Sequence, residues 1–209
     1  MFILTAHILL AQDIVGMVKR VKPAVVSVLN YNSFGLKAGT GSGFFIERNR
    51  IITNHHVIKN ASSVKIRMND SSEYQCKHIV AQDTSVDLAI LEVEIPASLK
   101  ITPLPTRKTL PESGERVYVV GNPLGFEQSV SDGIVSSVRT IKNYGTTKFI
   151  QFTAAISPGN SGSPLLDNQG QVLGVARMVM TEGQNLNFAA TSEQMKQLTI
   201  GSPIAFVAT

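Results

Sequence analysis

Ser161 stands in the turn Ser157-Pro158-Gly159-Asn160-Ser161-Gly162-Ser163-Pro164, late in a chain whose patterns are mostly those of β-strands. A serine hydroxyl attacks a carbonyl only when a base takes its proton and donors receive the oxyanion that forms. A glycine two positions before the serine lets the chain bend so that successive N–H groups aim at one point. Small residues on either side of Ser161 also let a substrate approach. The same residue types fill ordinary surface turns, so this turn gains meaning only from partners elsewhere.

Two upstream segments supply them. Ile51-Ile52-Thr53-Asn54-His55-His56-Val57-Ile58 places a histidine pair where an apolar β-like run breaks off, and Ser85-Val86-Asp87-Leu88-Ala89-Ile90-Leu91 places a carboxylate at the mouth of another. The chain order His, Asp, Ser is that of chymotrypsin-type enzymes, not of subtilisins or α/β-hydrolases. His56 and Asp87 fall in one half of the chain and Ser161 in the other, an arrangement suited to a cleft between two halves. His55 is the second choice for the base, because strand alternation presents only one of two neighbours to a cleft. Asp83 is the second choice for the acid, because it lacks the apolar run that directly follows Asp87.

The elements that must position these groups are short. Asp13 can cap a helix with Ile14, Met17, Val18 and Val21 on one face, ended by Pro23. Strand patterns follow at Ala24–Leu29, Gly43–Ile46, Arg50–Thr53, Val64–Met68, Tyr74–Val80 and Leu88–Val93. Pro96, Pro103, Pro105 and Pro111 then mark an extended crossing segment, since proline removes ladder donors. Strands resume at Arg116–Val120, Val130–Ser137, Phe149–Phe152, Pro164–Leu166, Val172–Met180 and Leu186–Ala190. A closing helix runs from Ser192, with Glu193 in its first turn, to about Thr199. Many short strands with Gly-rich turns predict an all-β barrel or sandwich.

Several motifs together resemble one family. Thr53-Asn54-His55-His56-Val57, Asp87-Leu88-Ala89-Ile90-Leu91 and Gly159-Asn160-Ser161-Gly162 are similar to the histidine, aspartate and nucleophile motifs of HtrA/Deg-type trypsin-like serine proteases. Gly121-Asn122-Pro123-Leu124-Gly125-Phe126, Asp132-Gly133-Ile134-Val135-Ser136 and Asn187-Phe188-Ala189 match in the same order, so the resemblance runs from about Ile14 to Leu198.

The resemblance implies two packed antiparallel six-stranded barrels with short N-terminal and C-terminal helices. The expected division is 13–95 for the first barrel, carrying His56 and Asp87, and 96–115 for a Pro-rich linker. Residues 116–200 form the second barrel with Ser161 and the closing helix, and 201–209 a tail. Residues 1–12 are an export-signal remnant or an N-terminal arm.

The implied chemistry is peptide-bond hydrolysis through an acyl-enzyme. His56, Asp87 and Ser161 are catalytic, and Gly159, Asn160 and Ser161 form the oxyanion hole. Val179 and Met180 wall the substrate pocket together with Ala155 and Ile156. Ala155 stands six positions before Ser161, where a pocket for basic side chains would need an acid, so aliphatic residues are expected before the cut. Implied partners are unfolded or exposed polypeptides, in protein quality control, and activating peptides. A homotrimer is also implied, for which Met1–Ala11 could serve. Loops near Phe126–Asp132, Ser157–Asn160 and Thr181–Asn185 are expected to order with ligand. The family is often exported, which points to the periplasm or cell exterior, with the cytoplasm as the alternative.

Departures bear on this reading. Ser163 stands where the family has a second glycine, and Thr153 where an aspartate is common. The loop from Tyr31 to Lys37 is short, and no peptide-binding PDZ domain is expected after the closing segment. Ser163 keeps open a catalytically silent, protease-like peptide-binding or chaperone module, since fold does not fix activity. An assembly subunit would instead show a large exposed apolar patch.

Composition excludes other classes. With 209 residues, 43% hydrophobic and 16% charged, the chain can bury a core and is not disordered. The net charge of +4 comes from scattered basic residues, without the stripe that nucleic-acid binding needs. Cys76 is the single cysteine and is expected to pack as a small apolar group. Neither Cys76 with His78 nor His55 with His56 has metal-ligand spacing. Gly39-Thr40-Gly41-Ser42-Gly43 lacks the Gly-Lys-Ser/Thr ending of a phosphate loop and reads as a close-packed β-turn. No cofactor, metal or stable membrane span is expected.

Overall fold

The computed structural model describes residues 14–121, 129–141, 145–177 and 187–207. Helix α1 covers residues 14–21, burying Met17 and Val21 and resting Ile14 and Val18 on the core, as its apolar spacing requires. A 3-10 turn, Lys22–Ala24, takes up Pro23 near its start, where a missing N–H costs nothing. Asp13, the expected cap, lies outside the described residues.

Strands β1 (Val25–Tyr31), β2 (Lys37–Glu47), β3 (Arg50–Thr53), β4 (Ser63–Arg67), β5 (Glu73–Asp83) and β6 (Leu88–Val93) close into one barrel in the order β1-β2-β3-β6-β5-β4. Strands β7 (Arg116–Gly121), β8 (Ser129–Thr140), β9 (Lys148–Phe152), β10 (Pro164–Leu166), β11 (Val172–Arg177) and β12 (Asn187–Thr191) close into a second, in the order β10-β11-β12-β9-β8-β7. All their pairings are antiparallel. Closure leaves neither sheet a free edge. The architecture is the expected pair of six-stranded barrels.

Strand alternation sorts the core. Along β7, Val117 and Val119 join Val135, Ile150, Phe152 and Leu165 in one apolar cluster. Tyr118 and Val120 turn the other way and join a larger cluster that includes Val28, Phe44 and Ile52 of the first barrel. The second barrel therefore buries both faces of its central strands, and β11 is buried along its whole length.

The proline-bearing segment after β6 crosses between the barrels in extended form and is tied to both. Leu104 donates to the carbonyl of Phe45 at 3.0 Å, and Val172 donates to that of Pro105 at 2.7 Å. Helix α3 (Ser192–Gln197) closes the fold, two residues shorter than expected. Its Thr191 side chain and Gln194 form a reciprocal capping box.

Two local expectations are corrected. Gly39 to Gly43 is no turn but part of β2, where Gly41 and Gly43 admit Val57, Val28 and the carbonyls of Ser161 and Ile52. His55–Ile58 is a short helix, α2, not the end of a strand. Within the tail, Ile204 exchanges backbone hydrogen bonds with Ile79 at 2.8 and 2.9 Å.

Candidate active site

Strand β3 delivers the chain to Thr53, whose hydroxyl donates to the Ser42 carbonyl at 2.7 Å. Asn54 is buried, extended and the N-cap of α2. The first turn of a helix leaves N–H groups without helical acceptors, and here Asp87 receives them. The Asp87 carbonyl accepts from His55 N at 3.1 Å and from Asn54 Nδ2 at 3.0 Å. Its Oδ1 accepts from His56 N at 2.9 Å, and its Oδ2 lies 2.7 Å from His56 Nδ1. An ionised carboxylate only accepts, so Nδ1 carries the proton and Nε2 is left as the basic nitrogen.

Asp87 holds this position at φ +61°, a left-handed conformation that costs a side-chain-bearing residue about 1–2 kcal/mol. Four hydrogen bonds from α2 and its cap hold it there. Its side chain is 10% exposed, against 47% for His56. Burial pushes the carboxyl's pKa up, but the hydrogen bonds and charge of His56 and the nearby Arg177 outweigh it, so Asp87 sits below the ordinary aspartate value.

The helix also separates the two histidines. His56 lines a cleft of about 740 Å³ together with Asp87, Gly159, Ser161 and Arg177. His55 faces a different groove, beside Ile79, Ile204 and Phe206, and burial there lowers its pKa. The strand alternation invoked to choose between them does not operate, because successive helical residues are turned by about 100°.

The Ser161 turn is held from beneath by β2. Ser42 N donates to the Ser161 carbonyl at 2.8 Å and Ser42 Oγ to the Gly159 carbonyl at 2.7 Å. Asn160 N donates to Ser157 O, Gly162 N to Ala176 O and Ser163 N to Asn160 O. The Gly159 and Ser161 N–H groups donate to no acceptor among the described residues. Asn160, expected as a third oxyanion donor, has its amide engaged within the turn. Gly159 and Gly162 take φ +100° and +90°. A Cβ on Gly162 would collide with the Ser42 carbonyl and lie 2.5 Å from Thr53 Oγ1. Its small size therefore serves backbone packing beneath the turn as well as access above it.

Other expected positions fall differently. Ala155 is exposed, with its carbonyl accepting from Ser131 Oγ at 2.6 Å, and Ile156 packs on the second barrel's cluster. Neither is among the described residues lining the Ser161 cleft. Val179, Met180 and Thr181–Asn185 lie outside the described residues, as do Asn122–Phe126 and Met1–Ala11. Thr153 uses its hydroxyl to accept from Ile134 N at 2.9 Å, and its N–H donates to the Ile134 carbonyl at 3.0 Å. Ser163 Oγ is fully buried, without a hydrogen-bond partner among the described residues. Among those residues no His, Cys, Asp and Glu cluster could hold a metal.

Two contributors were not singled out from sequence. Ser42 looked like part of a Gly-rich turn. Arg177 was one residue in an apolar strand pattern, yet its Nε lies 3.8 Å from Asp87 Oδ2. The available signal was its charge: an arginine within a buried strand asks for a partner.

The chain is also similar to known proteins. Residues 41–175 match the trypsin-like peptidase domain. The Do-like serine protease HtrA of Bacillus subtilis is 34% identical over 217 residues, covering 90% of this chain and 48% of that protein. A DegP-like periplasmic serine endoprotease of Pseudomonas putida (strain GB-1) is 40% identical over 154 residues, 71% of this chain and 32% of the relative. The crystal structure of a serine endoprotease from Yersinia pestis superposes with a TM-score of 0.77 at 28% identity, covering 88% of this chain and 64% of the other. The chain thus spans half or less of the curated relatives named here. The chain belongs to the trypsin-like peptidase family, and the relatives it matches are HtrA- and Do-type serine proteases.

Proposed function

We propose that this chain is a serine endopeptidase that cuts unfolded or exposed polypeptide through an acyl-enzyme. The carrying observation is that one cleft gathers Ser161, the bonded His56–Asp87 pair and the Gly159 and Ser161 N–H groups, with no acceptor competing for those two donors among the described residues. In this mechanism His56 Nε2 takes the Ser161 proton as Oγ attacks a peptide carbonyl, then returns it to the leaving amine. Asp87 holds the tautomer and stabilises the imidazolium. The two N–H groups receive the oxyanion, and water then repeats the sequence to free the acyl group.

The finer reading is a preference for aliphatic residues before the cut and a role in protein quality control. It rests on the likeness to the HtrA-type relatives, since Ala155 is not among the described residues lining the cleft. Assembly as a homotrimer and stimulation by peptides belong to the same reading. A periplasmic or extracellular location follows the Pseudomonas putida relative. Among the described residues no helix is long and apolar enough to cross a membrane.

The test is covalent labelling with a fluorophosphonate, beside Ser161→Ala. Labelling of the unmodified protein alone supports an activated serine. Absence of labelling in folded protein, with or without candidate peptides, turns the reading to a silent peptide-binding module. Strict cleavage after Arg or Lys would overturn the aliphatic preference.

A further inference from the structure

We infer that Arg177 is a positioning residue for the proposed reaction: it shares the Asp87 carboxylate with His56 and so sets how strongly that carboxylate pulls on the imidazole. This inference rests on the protease reading above.

The geometry is specific. Arg177 closes β11, in which every residue is buried, and its own side chain is 11% exposed. Its Nε lies 3.8 Å from Asp87 Oδ2, the same oxygen that sits 2.7 Å from His56 Nδ1. The guanidinium carbon lies 5.4 Å from the centre of the Phe149 ring, an arrangement that holds the cation over an aromatic face. Burying a cation in a barrel strand is costly unless an anion repays it, and an apolar side chain would pack there with less penalty. Among the described residues, Asp87 is the anion within ion-pair distance.

The charged and titratable groups facing Asp87 are His56 and His55 from α2 and Arg177 from β11, while Lys59 faces His55. Among the described residues, Arg177 is the permanent cation within ion-pair distance of Asp87. While His56 is neutral and waiting to act as base, Arg177 balances the buried carboxylate. When His56 takes the serine proton, one carboxylate serves two cations and stabilises the imidazolium less than an undivided one would. Removing Arg177 should therefore let the carboxylate hold the imidazolium more strongly.

The experiment compares wild type, Arg177→Gln and Arg177→Lys by two readouts. The first is the pH dependence of the fluorophosphonate labelling rate. Arg177→Gln should move its acid limb upward by on the order of one pH unit, the effect of one charge at close range and intermediate dielectric. Arg177→Lys, which keeps the charge, should stay near wild type. The second is the low-field proton resonance between His56 and Asp87 in a Ser161→Ala background. It should move downfield with Gln, as the carboxylate accepts more strongly, and not with Lys.

An unmoved limb and resonance, with only a uniform loss of rate, would overturn the inference and leave Arg177 a packing residue. Weaker peptide affinity with both readouts unmoved would also overturn it, making Arg177 a substrate contact. If no labelling occurs at all, the protease reading fails, but the resonance still decides the inference because it needs no turnover. Should Arg177→Gln not fold, Arg177→Met, of similar length, carries the same two readouts.

Discussion

Asp87 meets His56 twice, once at the imidazole Nδ1 at 2.7 Å and once at the backbone N–H at 2.9 Å. The second contact is a helix-start bond, so the group that would orient the base also anchors the element carrying it. With the Asp87 carbonyl accepting from His55 N and Asn54 Nδ2, one residue ties down both the ring and the helix start. The preorganisation that this chemistry needs is thus built from orphan donors of a four-residue helix.

Asp87→Asn should lower peptide turnover on the order of 10⁴-fold, the scale for loss of the carboxylate in this type of triad. The amide replaces one acceptor oxygen with a donor, so it cannot accept from both His56 N and Nδ1–H. Steady-state cleavage of a fluorogenic peptide, with circular dichroism to check folding, measures this.

Stability should depend on pH through the same residue. Asp87 has a lower pKa folded than the ordinary value of about 3.9 that it takes when unfolded. Its ionised form is therefore favoured by folding. The contribution is complete above about pH 4 and lost as the pH falls through the lower folded value. Wild type should lead Asp87→Asn in thermal midpoint near neutrality, and the gap should narrow below pH 4 in a calorimetric series.

Gly162→Ala should cost more than the roughly 1–3 kcal/mol of ordinary backbone strain, because φ +90° is combined with a collision against the Ser42 carbonyl. Urea unfolding should show a lower midpoint, and fluorophosphonate labelling should slow as the turn lifts from β2.

Ser163→Ala should stabilise the fold by about 1 kcal/mol, since it deletes a buried hydroxyl that lacks a partner among the described residues. For a domain of this size that is about 2–4 °C in thermal midpoint. A fall in midpoint would show that the hydroxyl is satisfied in solution.

Cys76 should resist thiol reagents at pH 8 while the protein is folded. Burial removes access and pushes its pKa to about 12, leaving almost no thiolate. Reaction with an aromatic disulfide reagent should appear only on adding denaturant.

Much of the barrel framework was legible because buried strands announce themselves by apolar runs bounded by turn residues. Arg50–Thr53, Leu88–Val93 and Pro164–Leu166 fall on the expected bounds. Helix α2 was not legible, since four residues show no helical period and the run before them is a strand. The Gly39–Gly43 stretch misled for a related reason. Glycine signals turns by local preference, but here it clears space for Val57 and for the carbonyls of neighbouring strands.

By itself the sequence determined which groups were available, their order along the chain and the all-β character, because residue type and periodicity are local properties. It also carried the motifs that resemble a family. Tertiary structure alone decided which histidine faces the cleft, which amides of the Ser161 turn have no acceptor among the described residues, and that a strand arginine ends beside Asp87. Those outcomes depend on how two closed barrels bring distant segments to within hydrogen-bond or ion-pair distance, and no local pattern encodes a distance across 90 residues of chain (Asp87 to Arg177).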